Sequence, residues 1–135
     1  MSAPCLTIKD LSRRWNNEIR RGLVPSFGLF GDLLDDFRQR CRTSEEKLVL
    51  VGEAPEWIES AAHAEVNAYL ASVAETLCRE ASLTPPAWTE SPRCYLARPW
   101  FAGGLESLKA ILLAESPVAF RRRNLFVSAN ALSRA

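Results

Sequence analysis

A chain of 135 residues, 47% hydrophobic and 24% charged, has the size and balance of one folded domain and excludes a disordered tail. Such a length typically buries about two-thirds of the unfolded surface, enough for a core without metal or disulfide support. The net charge of only +1 announces no nucleic-acid partner, and no apolar run approaches the ~20 residues of a membrane-spanning helix.

The opening MSAPCLTIKDLSRR has no apolar secretory stretch, so the expected location is cytoplasmic, with no membrane partner. The first helix is expected from about Ile8 to Arg21. Ile8, Leu11, Trp15 and Ile19 recur at helical spacing, Thr7 with Asp10 resembles an N-cap pairing, and Gly22 supplies the stop. Arg13/Arg14 and Arg20/Arg21, seven apart, repeat on the opposite side, as a solvated face or a basic ridge for a partner. Phe30, Leu33, Leu34, Phe37 and Cys41 make a second amphipathic face. Asp32, Asp35 and Asp36 lie early in that helix and Arg38, Arg40 and Arg42 late, the order that complements a helix dipole without any ligand.

Thr43-Ser44-Glu45-Glu46 offers another cap, and the KLVLV that follows reads as either helix or strand. Propensity favours a strand over 47–51, the cap a short helix ending at Gly52. The longest periodic segment is expected from about Trp57 to Ala81. Ile58, Ala62, Val66, Tyr69/Leu70, Val73 and Leu77 form its buried stripe, and Glu59, His63 and Asn67 its polar face. Regular structure should break down from Ser82 to Gly104, which holds four of the eight prolines together with Trp88 and Trp100. Loops this long are uncommon in compact domains and are often functional or packed by their own side chains. A helix carrying Leu105, Leu108, Ile111, Leu112 and Ala114 should follow. Ser116-Pro117 then resembles an N-cap with proline at the first helical position, predicting a short helix to Arg123. Leu125-Phe126-Val127 should be extended or buried, and Ser128 should cap a last turn containing Leu132. With no internal repeat or linker, one domain spans residues 1–135.

Chemistry-bearing motifs are sparse. Cys5, Cys41, Cys78 and Cys94 include no CxxC pair and His63 is alone, so no metal site is expected and free thiols are. Cys41 and Cys78 fall on helical core positions. Gly103-Gly104 matches no phosphate-binding loop, and adjacent carboxylates such as Asp35/Asp36 diverge on a helix. No cofactor and no catalytic residue is expected.

Charge is unevenly spread: residues 1–42 balance to +3, 43–92 to −7 and 93–135 to +5. Such asymmetry marks a binding face or segments that neutralise one another on folding, and the near-zero total favours the second. The Arg121-Arg122-Arg123 triple poses the same choice. Successive helical residues are about 100° apart, so at least one of the three should face inward, toward helix-end carbonyls or a carboxylate of the acidic middle segment.

The C-terminal segments PPAWTESPRCYLARPWF and ILLAESPVAFRRRNLFVSANALSRA resemble a family of small bacterial proteins of unknown function. Its pattern is a P-W-F step, then E-S-P-x-A-F-R-R-R-N-x-F-V. Members are sometimes fused to helix-turn-helix regulators or encoded beside toxin–antitoxin or nucleotidyltransferase genes. The resemblance covers roughly residues 84–135. It implies a regulatory or antitoxin-like role with a toxin or nucleotidyltransferase as partner, while the missing helix-turn-helix speaks against operator binding. It supplies no catalytic residues.

Together these features lead us to expect an all-α, single helical domain of about five to six helices with a long irregular Pro/Trp-rich loop. The expected function is a non-enzymatic protein-interaction module. Its candidate partner-binding residues are Trp88, Tyr95, Trp100, Phe101, Arg121, Arg122 and Arg123, and homodimerisation is compatible with them. A nucleic-acid binder using the arginine clusters is the alternative, and a small enzyme the third reading.

Overall fold

The computed structural model describes residues 5–23, 29–102, 112–113 and 115–128, and its first helix begins where cap chemistry places it. The Thr7 hydroxyl accepts from the Asp10 N–H, and the Asp10 carboxylate accepts from the Thr7 N–H. This reciprocal pair satisfies two donors that a helix start leaves open. α1 (Ile8–Arg20) buries Ile8, Leu11 and Trp15. Gly22 turns the chain at φ +75°, a left-handed geometry that costs glycine little.

α2 (Leu29–Asp35) runs into a wider π-type turn, Asp36–Arg40, closed by the Cys41 N–H on the Asp36 carbonyl. Phe30, Leu33, Leu34, Phe37 and Cys41 are all buried, as their spacing predicts. α3 (Ser44–Val51) resolves the helix-or-strand ambiguity of 47–51. The Thr43 hydroxyl accepts from the Glu46 N–H, so the cap outweighs the strand propensity of the valines. At the end of α3 a Cβ on Gly52 would lie 2.5 Å from the Leu48 carbonyl oxygen, so only glycine fits.

The long central helix starts later than its periodicity suggests. α4 spans Ala64–Glu80, preceded by a 3-10 turn at Ala61–His63. Asn67, expected on a polar face, is buried, and its amide both accepts from the Ile58 N–H and donates to the Ile58 carbonyl, each at 3.0 Å. That pair of bonds lays the segment around Ile58 alongside the helix rather than inside it. Ile58 is therefore buried from an irregular segment, while Ala62, expected in the stripe, is exposed. Val66, Leu70, Val73 and Leu77 are fully buried and Tyr69 partly so.

One apolar cluster runs from Ile8 to Val127. Rings bind its layers together: Trp15 meets Phe30 at 4.9 Å, Phe30 meets Tyr69 at 4.6 Å and Tyr69 meets Phe120 at 5.3 Å between centroids. Offset and edge-on geometry of this kind adds attraction beyond buried area.

After α4 the chain is irregular, as expected, with 3-10 turns at Ala87–Glu90 and Pro92–Cys94. β1 (Trp100–Phe101) pairs in parallel with β2 (Leu125–Phe126), with Trp100 opposite Leu125 and Phe101 opposite Phe126. Between them lie buried Leu112 and α5 (Val118–Arg121). Ser116 does not cap α5; Pro117 occupies the cap position without a side-chain bond. The Ser116 hydroxyl instead accepts from the Val127 N–H at 2.8 Å and lies within bonding distance of the Leu112 and Val127 carbonyls. A hydroxyl drawn inward by three backbone groups is unavailable to the α5 N-terminus. Leu105, Leu108, Ile111 and Ala114 of the expected helix, and Leu132 of the expected last turn, lie outside the described residues. The architecture is all-α, with one short parallel ladder. Among the described residues no helix is long and apolar enough to cross a membrane.

Candidate functional site

The three arginines part company at the end of α5. Arg121 is exposed and makes no hydrogen bond or ion pair among the described residues. Arg122 is partly exposed, and Arg123 is fully buried. The helix stops after Arg121, and Asn124 takes a left-handed φ of +63°, a conformation its short polar side chain tolerates. The Asn124 amide donates to the Leu96 carbonyl at 2.9 Å. The resulting turn drives the Arg123 side chain beneath the 87–95 segment.

There Arg123 meets Glu75, on the face of α4 that also carries Ala68 and Ser72. The small side chains let α5 approach, and the Ser72 hydroxyl lies 3.2 Å from the Ala119 carbonyl. Arg123 Nη1 lies 2.8 Å from Glu75 Oε1 and donates to the Ala119 carbonyl at 2.7 Å, while Nη2 donates to the Thr89 carbonyl at 3.0 Å. The remaining donor, Nε, is buried without a partner. Arg122 reaches the same carboxylate through Nη1 and grips Glu90 with both nitrogens, at 3.0 and 3.1 Å. Tyr95 donates its hydroxyl to Glu90. Its ring lies 5.5 Å from the Arg122 guanidinium carbon and 5.2 Å from that of Arg123, within cation–π range.

The electrostatics push Glu75, Glu90 and Arg122 further into their charged states, and burial with the hydrogen bond to Glu90 holds the Tyr95 phenol neutral. Hydrogen bonds from Arg122 and Tyr95 lower the Glu90 pKa to about 2. Burial raises that of Glu75, but hydrogen bonds from Arg123 and Arg79 and the charges of Arg123 and Arg122 outweigh it, and the net shift is downward. Arg122 is raised, chiefly by its hydrogen bond to Glu90. Cys94, fully buried beside the cluster, has its thiol pushed up to about 11 by burial. A general acid or base works best with a pKa near the operating pH, and a nucleophilic cysteine with a depressed one. These shifts run the other way. The cluster clips the 87–95 segment to α4 and has the character of a structural lock.

The other candidate residues divide in the same way. Trp88 is half-buried, donates its indole N–H to the Val51 carbonyl at 2.8 Å and meets Trp57 edge-on. Phe101 stacks on Phe126 at 5.0 Å. Trp100 remains 38% exposed, its backbone N–H held by the Asn124 carbonyl. Leu113 and Val118 are also exposed, at 47% and 67%. They flank Ser116, whose bonds to Val127 tie them to the end of the ladder that carries Trp100. Arg121, Trp100, Leu113 and Val118 are therefore open to solvent, whereas Arg122, Arg123, Tyr95 and Trp88 hold partners within the fold.

Glu75 and Glu90 carry this arrangement, and the sequence names neither. Glu75 could have been singled out, because it lies seven residues after Ala68 and three after Ser72, on a helical face otherwise made of small residues. No local pattern marks Glu90.

The basic side chains of α1 mostly have partners, two of them in the acidic middle segment. Arg13 pairs with Glu56 at 3.0 Å, Lys9 with Glu53 at 2.8 Å and Arg14 with Glu18 at 3.8 Å, and Arg20 bonds Asn17. Arg38 forks onto Glu80, and Arg93 reaches Glu59 at 2.6 Å. No protein-family model, curated protein or solved structure matches this chain.

Proposed function

We propose that the protein is a non-enzymatic interaction module that binds a protein partner, regulatory or antitoxin-like as the family resemblance implies, through the platform of β1, β2 and α5. One observation carries this reading: Trp100, Leu113 and Val118 are exposed large hydrophobic side chains, and Arg121 is exposed without a partner among the described residues, on the elements that adjoin the Arg122–Arg123–Glu75–Glu90 cluster. A rigid base presenting aromatic and aliphatic side chains with an arginine suits protein recognition, since Trp and Arg are common binding anchors and preorganisation lowers the ordering cost. Nucleic-acid binding loses support because most arginines of the α1 ridge and the C-terminal triple already have partners. The upward pKa of Cys94 and the downward pKa of Glu90 argue against acid–base or thiol chemistry at the cluster.

The test is quantitative co-purification from the native host with tagged wild type, Trp100→Ser/Val118→Ser and Arg13→Ala. A stoichiometric partner, or a self-associated dimer seen by light scattering, should be retained by Arg13→Ala and lost by the double variant. A partner retained equally by all three refutes the platform. Binding of an oligonucleotide that falls steeply with salt and weakens in Arg121→Ala would replace the reading with the nucleic-acid one.

A further inference from the structure

Asn124 gathers three stretches of backbone. Its N–H donates to the Arg121 carbonyl at 3.0 Å, its side-chain amide donates to the Leu96 carbonyl at 2.9 Å, and its own carbonyl accepts from the Trp100 N–H at 2.8 Å. The Leu96 N–H adds a bond to the Arg123 carbonyl at 3.2 Å. Residues 97–99 thus form a short loop with both ends pinned to Asn124, and the end of α5 is pinned to the same residue through Arg121. Ala97, Arg98 and Pro99 are exposed, and Trp100 follows them. On α5, Val118 and Arg121 lie three apart on the outer side of a single turn, while Ala119 and Phe120 between them are buried.

The charges on this turn are unmatched. Arg98, like Arg121, is exposed and makes no hydrogen bond or ion pair among the described residues. Elsewhere Arg13, Arg38, Arg93, Arg122 and Arg123 each meet a glutamate far along the chain. Arg21 and Arg42 are exposed too, but each follows a longer helical segment, where a cation complements the dipole without any ligand. The exposed carboxylate of this stretch, Glu115, lies ahead of α5, at the end opposite Arg121.

Resting on the interaction reading above, we propose that the partner meets this surface with an acidic segment. Its carboxylates are taken by Arg98 and Arg121, and an aliphatic or aromatic side chain of the same segment lies against Trp100 and Val118. An arginine fork matches a carboxylate with two parallel hydrogen bonds, and tryptophan with arginine is the usual pairing of binding anchors. The backbone carrying Arg98, Trp100 and Arg121 is already held at Asn124, so little has to be ordered on binding. A nucleic-acid strand calls for a track of cations along its phosphates, and the next two arginines, Arg122 and Arg123, are committed to Glu75 and Glu90.

Full-length protein is used to select binders from a displayed library of random peptides, and an enriched peptide is resynthesised with a fluorescein label for anisotropy. Enriched sequences should carry Asp or Glu pairs beside an aromatic or aliphatic residue. Arg98→Ala/Arg121→Ala should weaken the labelled peptide about tenfold or more, as should Trp100→Ser/Val118→Ser, and Arg21→Ala should leave it unchanged. Arg98→Glu/Arg121→Glu should reverse the preference and select basic peptides. Both arginines are exposed without partners among the described residues, so their variants should keep the wild-type melting temperature. Peptides lost with Trp100→Ser/Val118→Ser yet free of carboxylates, or indifferent to the arginine pair, overturn the acidic segment and leave the platform in place. Peptides that withstand Trp100→Ser/Val118→Ser remove the platform itself and this inference with it. A library without enrichment overturns the inference. So does a labelled oligothymidylate that binds wild type and is released by Arg98→Ala/Arg121→Ala, which assigns the surface to nucleic acid.

Discussion

Arg123 and Glu75 meet at 2.8 Å as a fully buried guanidinium and a carboxylate with 4% of its side chain exposed, 48 positions apart in the chain. The pair joins the end of α5 to the middle of α4 and carries the 87–95 segment with it. Removing charges from water is expensive, and such a pair is favourable only with further hydrogen bonds. The Ala119 and Thr89 carbonyls supply them on one side, Arg122 and Arg79 on the other.

Arg123→Ala is therefore expected to cost about 3–5 kcal/mol, since it leaves Glu75 buried and short of one partner while emptying a large site. Arg121→Ala should cost less than about 0.5 kcal/mol, as an exposed side chain without partners among the described residues. Urea denaturation of the two variants gives the comparison. Equal losses would show that the inward turn of Arg123 is wrong.

Acid should loosen the lock in a defined window. The Glu90 carboxyl titrates at about 2 in the fold and near 4.5 when free, and Glu75 is shifted in the same direction. A depressed folded-state pKa gives stability that is fully present above the unfolded value and lost as pH falls through the folded one. The denaturation midpoint should stay level from neutral pH to about 5 and drop between about 4.5 and 2. Glu90→Gln should lower the plateau and flatten the drop. An unchanged acid limb in that variant would assign the transition to other carboxylates.

Asn67→Leu is expected to destabilise by about 2–4 kcal/mol despite adding apolar volume. It strips both the N–H and the carbonyl of Ile58 of their partner, and buried unsatisfied groups cost about 1–3 kcal/mol each. Thermal melting checks this, and hydrogen exchange should show the Ile58 amide losing protection. Retained protection would mean another group holds Ile58.

Thr7→Ala should cost about 1 kcal/mol through loss of the reciprocal cap. Fraying should be confined to the first turn of α1, read by amide exchange at Leu11 and earlier. Protection lost as far as Trp15 would indicate that packing, not the cap, starts the helix.

The sequence by itself determined what depends on neighbours a few residues apart. The Thr7 and Thr43 caps, the turn at Gly22, the stop at Gly52 and the buried faces of α1 and α2 all follow from i to i+4 chemistry and appear where that chemistry places them, except that Ile19, expected in the α1 face, is only partly buried near the helix end. The segmental charges likewise anticipated an acidic middle that pairs with both ends. Only the tertiary structure decided which arginine turns inward, why α4 begins at Ala64, and where Ser116 spends its hydroxyl. Each of those rests on a bond to a residue 9 to 48 positions away. Helical periodicity cannot see such partners, because a buried polar side chain takes its place from the group that satisfies it and not from its own hydropathy.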